Sequence, residues 1–329
     1  MTSQSDIVAA FKEGRFEGCS EVPLYIETVI SHIFLSGTRA YKLCKDDNAF
    51  FNAHFFDLAD SSVRNEFVEA DFTWNHAVTP EIYETLCGAR LIDGRIEFIG
   101  PDESEHRVVA MQRFDLNDGL LRLLVDGSLA NEDFHRIGTQ LGDRIDTVCT
   151  KHPEIDLYKN FVSRFSDLRA WISGLETEIP DSERFVYVDY LESFLEANTE
   201  WLTRTEDASS VLDTHAENGV YAEQRLLLID TYPPQENWRY CHQDFNRYRL
   251  ATDVYALAGR EAFEAVLLGY QERMGTKPDP VLEPFFVVYA GAIMVPYLYS
   301  LGRTSDVHLQ AARMYRAFLQ HYFNSIPKD

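Results

Sequence analysis

The chain has 329 residues, 45% of them hydrophobic and 25% charged, which is ordinary for a soluble globular protein and excludes a disordered or fibrous one. Thirty basic against fifty-three acidic residues leave a net charge of −23, so nucleic-acid backbones and anionic lipid surfaces are repelled and neither is expected as a partner. The five cysteines form no C-x-x-C pair, which argues against a disulfide framework or zinc cluster and for a reducing, cytoplasmic setting.

The N-terminus shows no basic region followed by an apolar core, so no secretory signal is expected. From Glu27 to Lys45 the residues alternate as a strand, turn at Ser36-Gly37-Thr38, and alternate again, presenting Lys42 between Tyr41 and Leu43. Ser61-Ser62 opens a helix with an apolar stripe at Val63, Phe67, Ala70 and Trp74. Asp93-Gly94 turns a hairpin over 91–98, and Val108 to Met111 reads as a buried strand running into Gln112-Arg113-Phe114. These parts make a small α+β unit over residues 1–115.

The pattern then changes to helices over residues 116–329. Leucines 120, 121, 123 and 124 mark one helix; Ile137, Leu141 and Ile145 another; Tyr187 to Trp201 a third. A short apolar strand, Leu226 to Ile229, ends on Asp230, and helices are expected over 250–273, 281–301 and 307–323. Pro284 to Gly302 carries no charge and is long enough to span a bilayer. Gly291, Pro296, its tyrosines and Ser300 dilute its hydrophobicity, and Arg303 with the acidic residues around it makes no basic flanking pattern, so it is read as a buried helix, with no membrane partner. His242-Gln243-Asp244 is read as loop, and no G-x-x-x-x-G-K-[ST] phosphate loop occurs.

In order and in local sequence these parts resemble the aminoglycoside phosphotransferase family of the protein-kinase-like superfamily, and within it a bacterial branch. The likeness is dense over 27–64, continues through Pro80-Glu81-Ile82-Tyr83 and Ala110 to Phe114, and returns in patches over 213–256. It implies a bilobal α+β fold with a small β-rich N-lobe and a mostly helical C-lobe, and it implies ATP and Mg2+ as cofactors. By the same resemblance Lys42 contacts the nucleotide phosphates, oriented by Glu69 with Glu66 as rival. Gly37 lies in the loop over the phosphates, Met111 begins the hinge beside the base, and Asp230 binds the metal. Arg239 matches an arginine of the same branch.

The family's catalytic loop reads approximately D-x-H-G-D-x-x-x-x-N, with an aspartate that receives the substrate hydroxyl proton and an asparagine that binds metal. Aligned on Asp213-Thr214-His215, this chain has Ala216 for the glycine, Glu217 for the catalytic aspartate and Ala222 for the asparagine. The helix after Pro284 also lacks the arginines of that branch. Two functions are therefore carried forward. One is an ATP-dependent small-molecule kinase in which Glu217 is the base, beside His215 and Asp230, acting on an unidentified acceptor. The other is a pseudokinase that binds a nucleotide, metabolite or protein without transferring phosphate.

Overall fold

The computed structural model describes residues 3–28, 30–49, 52 and 57–327. The chain divides into two compact units, Met1–Asp115 and Leu116–Asp329.

The first unit is built on a six-stranded antiparallel sheet. Its strands are β1 (Leu24–Glu27), β2 (Ser31–Ser36), β3 (Arg39–Cys44), β4 (Tyr83–Ile92), β5 (Arg95–Ile99) and β6 (Arg107–Gln112), in the order β1-β2-β3-β6-β4-β5. The alternating run from Glu27 is thus two strands. Thr28 turns the chain, its Oγ1 accepting from the Ser31 N–H at 3.0 Å, and β1 folds back antiparallel on β2.

Period-two alternation sends Tyr41 and Leu43 of β3 to one face and Lys42 to the other. On the first face lies a helix that the sequence reading did not identify, α1 (Gln4–Lys12), whose Ile7, Ala10 and Phe11 join Phe16, Phe34, Tyr41 and Leu43 in one buried cluster. Its start was legible in Ser3, whose side chain caps the Asp6 N–H at 3.2 Å. The opposite face carries α2 (Ser61–Val78), capped by Asp60 through the N–H groups of Ser62 and Val63. At the β4–β5 turn Asp93 and Gly94 both have positive φ, 48° and 78°, as a tight hairpin with right-handed twist requires.

The second unit is mostly helical: α3 (Leu120–Val125), α4 (Asn131–Val148), α5 (Leu157–Ser173), α6 (Asp181–Arg184), α7 (Val186–Ala197), α8 (Thr199–Leu202), α9 (Asp244–Ala258), α10 (Arg260–Met274), α11 (Glu283–Gly302) and α12 (Asp306–Ser325). Two antiparallel pairs interrupt the helices. Strand β7 (Ala208–Ser210) pairs with β10 (Tyr240–His242), and β8 (Gly219–Ala222) with β9 (Arg225–Leu228). The expected single helix over 250–273 is two helices broken at Gly259, whose φ of 94° suits glycine alone. His242 to Asp244 is not loop, since it ends β10 and opens α9. Helix α11 is the long apolar segment, and 78% of its apolar window is buried inside the unit, as a core helix requires. Helices α4 and α10 touch backbone to backbone: a Cβ on Gly138 would meet Val266 O at 2.0 Å, and one on Gly269 would meet His135 O at 2.1 Å.

Candidate functional site

In the first unit the strand pleat delivers Lys42 to the face covered by α2. There its Nζ lies 3.2 Å from Asp71 Oδ2, in an ion pair whose side chains are only 11% and 8% exposed. The acid beside the lysine is therefore Asp71 and not Glu69, which points outward to Arg107 of β6 at 2.6 Å, while Glu66 is exposed. The reason is helix phase: the buried face of α2 runs Arg64, Val68, Asp71, Asn75, Val78, one residue out of step with the apolar stripe read from sequence.

Gly37 sits with φ 55° at the first position of a two-residue turn between β2 and β3. That is where a tight hairpin demands glycine, and nothing lies within 4 Å of where a Cβ would stand. Arg113 fastens the turn, its Nη1 donating to Gly37 O at 3.3 Å and its N–H to Thr38 O at 2.8 Å. Met111 is a buried core residue paired to Ala40 on one side and Tyr83 on the other. The N–H groups of Gln112 and Arg113 are committed to Ile82 O and Thr38 O.

In the second unit a stripe of buried polar residues on α9 grips the loop that follows β7. Asn246 Oδ1 accepts from the Leu212 N–H at 3.0 Å and its Nδ2 donates to Ser210 O at 3.2 Å. One turn on, Arg249 Nη2 donates to Asp213 Oδ1 at 3.1 Å. A further turn on, Asp253 accepts from the Ala216 N–H and from the Tyr315 hydroxyl. All three α9 side chains are at most 3% exposed. Such spacing lays one helix face along successive residues of an extended loop and fixes its path.

The loop's far side is tied to the segment after β9. Asp213 N–H donates to Thr231 O at 2.9 Å. Asn218 Nδ2 donates to the backbone oxygens of both Asp213 and Asp230, each at 3.0 Å, which leaves Asn218 Oδ1 without a partner among the described residues. Asp230 itself is held at φ 50°, a left-handed conformation that costs a residue with a Cβ about 1–3 kcal/mol and concentrates at functional sites. Arg239 braces the Tyr232-Pro233-Pro234 segment, donating to Pro233 O and Pro234 O and lying 4.7 Å over the Tyr232 ring.

Glu217 turns away to His308 at the start of α12, Oε2 to Nε2 2.9 Å, an ion-pair distance at an angle that makes no hydrogen bond. Ala222 ends β8 against Arg225, beside the hairpin turn of Glu223 and Gln224. Asp213 and Asn218 are five residues apart, the D-x-x-x-x-N spacing of a phosphotransferase loop, with the asparagine bonded beside Asp230. This spacing begins four residues earlier than the one obtained by aligning on the histidine.

Burial works against charge on Asp213, yet its carboxyl is held below the usual carboxylate range by its neighbours His215 and Arg249. Burial also pushes the His215 imidazole down to about 4, against the pull of Asp213, so at neutral pH it is uncharged and the Arg249 guanidinium is the cation that acts on Asp213. The Asp213 side chain remains 38% exposed, with Oδ2 3.7 Å from His215 Nε2. His215 is packed edge-on against Tyr297 at 5.0 Å.

No family model matches the chain. No curated protein matches it either. Solved structures do, over nearly its full length. APH(2")-IIia in its GDP and kanamycin complex superposes with a TM-score of 0.54 at 12% identity, covering 97% of this chain and 98% of that one. The AMP-bound spectinomycin phosphotransferase APH(9)-Ia gives 0.53 at 11%, covering 99% and 100%. A choline/ethanolamine kinase family protein from Mesorhizobium loti gives 0.51 at 12%, covering 94% and 90%. The chain therefore has the fold of aminoglycoside phosphotransferases and choline kinase, an antiparallel N-terminal sheet followed by a mostly helical part.

Proposed function

We propose that this protein is an ATP-dependent phosphotransferase that acts on a hydroxyl of a small molecule. The observation that carries the reading is the Asp213-to-Asn218 spacing, with the Asn218 amide bonded to the Asp230 carbonyl. Lys42, held by Asp71, meets the nucleotide phosphates. Asp213 receives the acceptor's hydroxyl proton through Oδ2, because Oδ1 is occupied by Arg249. The free Asn218 Oδ1 and the Asp230 carboxylate suit a hard cation such as magnesium, which when bound neutralises charge on the phosphates. The nucleotides and aminoglycoside held by the structural neighbours, GDP with kanamycin and AMP, are consistent with a nucleotide and a polyhydroxylated acceptor here.

The binding-only alternative rests on Glu217, Ala222 and the absence of arginines from the helix after Pro284, and reading the loop from Asp213 to Asn218 answers the first two of these but not the third. A different observation favours it: a buried arginine on Asp213 lowers the basicity of the residue that must accept the proton.

The test is thermal unfolding with ATP, with and without magnesium, followed by a radiolabelled phosphate-transfer screen over hydroxylated amines and sugars. A magnesium-dependent rise in midpoint, with transfer lost in Asp213→Asn, is expected. A shift with no transfer to any acceptor would leave the binding-only reading. No shift at millimolar nucleotide would remove nucleotide from both.

A further inference from the structure

The pair that presents Lys42 is one methylene shorter on its acidic side than a lysine–glutamate pair, so the position of the Asp71 carboxylate depends more on what holds it. Asn75, one helical turn on and fully buried, donates from Nδ2 to Asp71 Oδ1 at 2.9 Å and to the Asp71 backbone oxygen at 2.9 Å. One oxygen of Asp71 is thus fixed by the amide while the other faces Lys42 Nζ. An asparagine at a core position of a helix has no apolar reason to be there, and burying its amide is costly unless it is used.

We infer that Asn75 is a positioning residue for phosphate recognition: by locking Asp71 it aims the Lys42 ammonium, and it acts on nucleotide affinity only through that carboxylate. The inference rests on the phosphotransferase reading and deepens it. Without the amide, Asp71 Oδ1 loses that hydrogen bond at a side chain only 8% exposed, where solvent is a poor replacement. The carboxylate then rotates or takes a proton, and Lys42 loses its fixed direction.

The test is calorimetric titration of the full chain with ATP and with adenosine, for wild type, Asn75→Leu, Asp71→Asn and the double variant. Asn75→Leu is expected to weaken ATP about tenfold, the worth of one hydrogen bond to a charged group, and to leave adenosine unchanged. Asp71→Asn keeps the size of the side chain and is expected to do the same or more. In the Asp71→Asn background the Asn75 change should add nothing, because its only route to the phosphates is already cut. Parallel losses for ATP and adenosine, or an equal loss from Asn75→Leu in both backgrounds, would overturn the inference and make Asn75 a residue of the fold alone. Should Asn75→Leu not fold, Asn75→Ser, which is smaller and still polar, carries the same comparison. A wild type that binds adenosine as tightly as ATP would refute the Lys42 phosphate site itself, and a wild type that binds neither would refute the nucleotide reading; each takes this inference with it.

Discussion

Gly138→Ala tests whether the seam between α4 and α10 sets the geometry of the second unit's site. The new methyl would stand 2.0 Å from Val266 O, 2.8 Å from its carbonyl carbon and 3.0 Å from the Tyr270 nitrogen. A carbon–oxygen contact normally closes to about 3.3 Å, so the overlap exceeds about 1 Å, and it is against backbone, which cannot rotate aside. Alanine returns about 1 kcal/mol of helix propensity, whereas overpacking costs about 1–3 kcal/mol and more where the neighbours are rigid. At the upper end of that cost the net loss is about 2 kcal/mol, lowering the midpoint by about 4–8 °C for a unit of this size. The consequence reaches the site because α4 also holds the β8–β9 hairpin: Gln140 bonds Gln224 O at 2.9 Å and the Leu226 N–H at 2.6 Å, and Asp133 accepts from the Tyr221 hydroxyl at 2.8 Å. Urea unfolding is the assay, with Gly174→Ala as control, since a Cβ there meets nothing nearer than Trp171 O at 3.5 Å. Gly269→Ala opens the same seam, so the double variant should lose less than the sum of the two singles. A Gly138→Ala protein as stable as the Gly174→Ala control would refute the reasoning.

Once an acceptor is found, Asp213→Asn should reduce transfer by about 10²–10⁴-fold with nucleotide affinity retained, while Glu217→Gln, which loses only a partly exposed pair with His308, should change it by less than about tenfold; the reverse ranking, read by initial rates, would restore the four-residue-later register. Asn218→Leu should abolish the magnesium dependence of nucleotide binding in calorimetry, since it removes both the clamp on the Asp230 carbonyl and the free amide oxygen; an unchanged magnesium dependence would exclude Asn218 from the metal's ligands. His215 is held at about 4 in the folded chain, below its unfolded value, so between about pH 6.5 and 4 the unfolded chain binds more protons and its contribution to stability is lost as pH falls. Buried Asp253 is raised to about 6, so its contribution is present at low pH and lost as pH rises from about 4 to 6. The two slopes oppose one another, and His215→Gln should make stability fall more steeply, or rise less, with pH across that window; urea midpoints at pH 4.5, 5.5 and 6.5 with the same slope in both proteins would contradict this.

The sheet and its lysine were legible because they obey a period of two and end in recognisable turns: Tyr41, Lys42 and Leu43 alternate, and Asp93-Gly94 and Gly37 mark the hairpins. What was not legible obeys helical spacing in polar residues. On α2 the buried face is Arg64, Asp71 and Asn75 among two valines; on α9 it is Asn246, Arg249 and Asp253, in a helix buried nearly all round so that no polar side marks it as amphipathic. A search for apolar stripes passes over both, choosing Phe67 and Trp74 on α2 and starting α9 six residues late at Leu250. These two polar stripes are the residues that orient Lys42 and Asp213. The logic is physical: a side chain that must hold a charged group in place has to be polar and sheltered from water, so it occupies core positions where its neighbours in the helix repeat would be leucine or valine. Polar residues three, four and seven apart in a helix that has little solvent-facing surface are therefore a signature of a site's supports. The same signature supports the register proposed for the loop, because Asn246, Arg249 and Asp253 meet Leu212, Asp213 and Ala216 in turn, and that succession includes Asp213 and not Glu217.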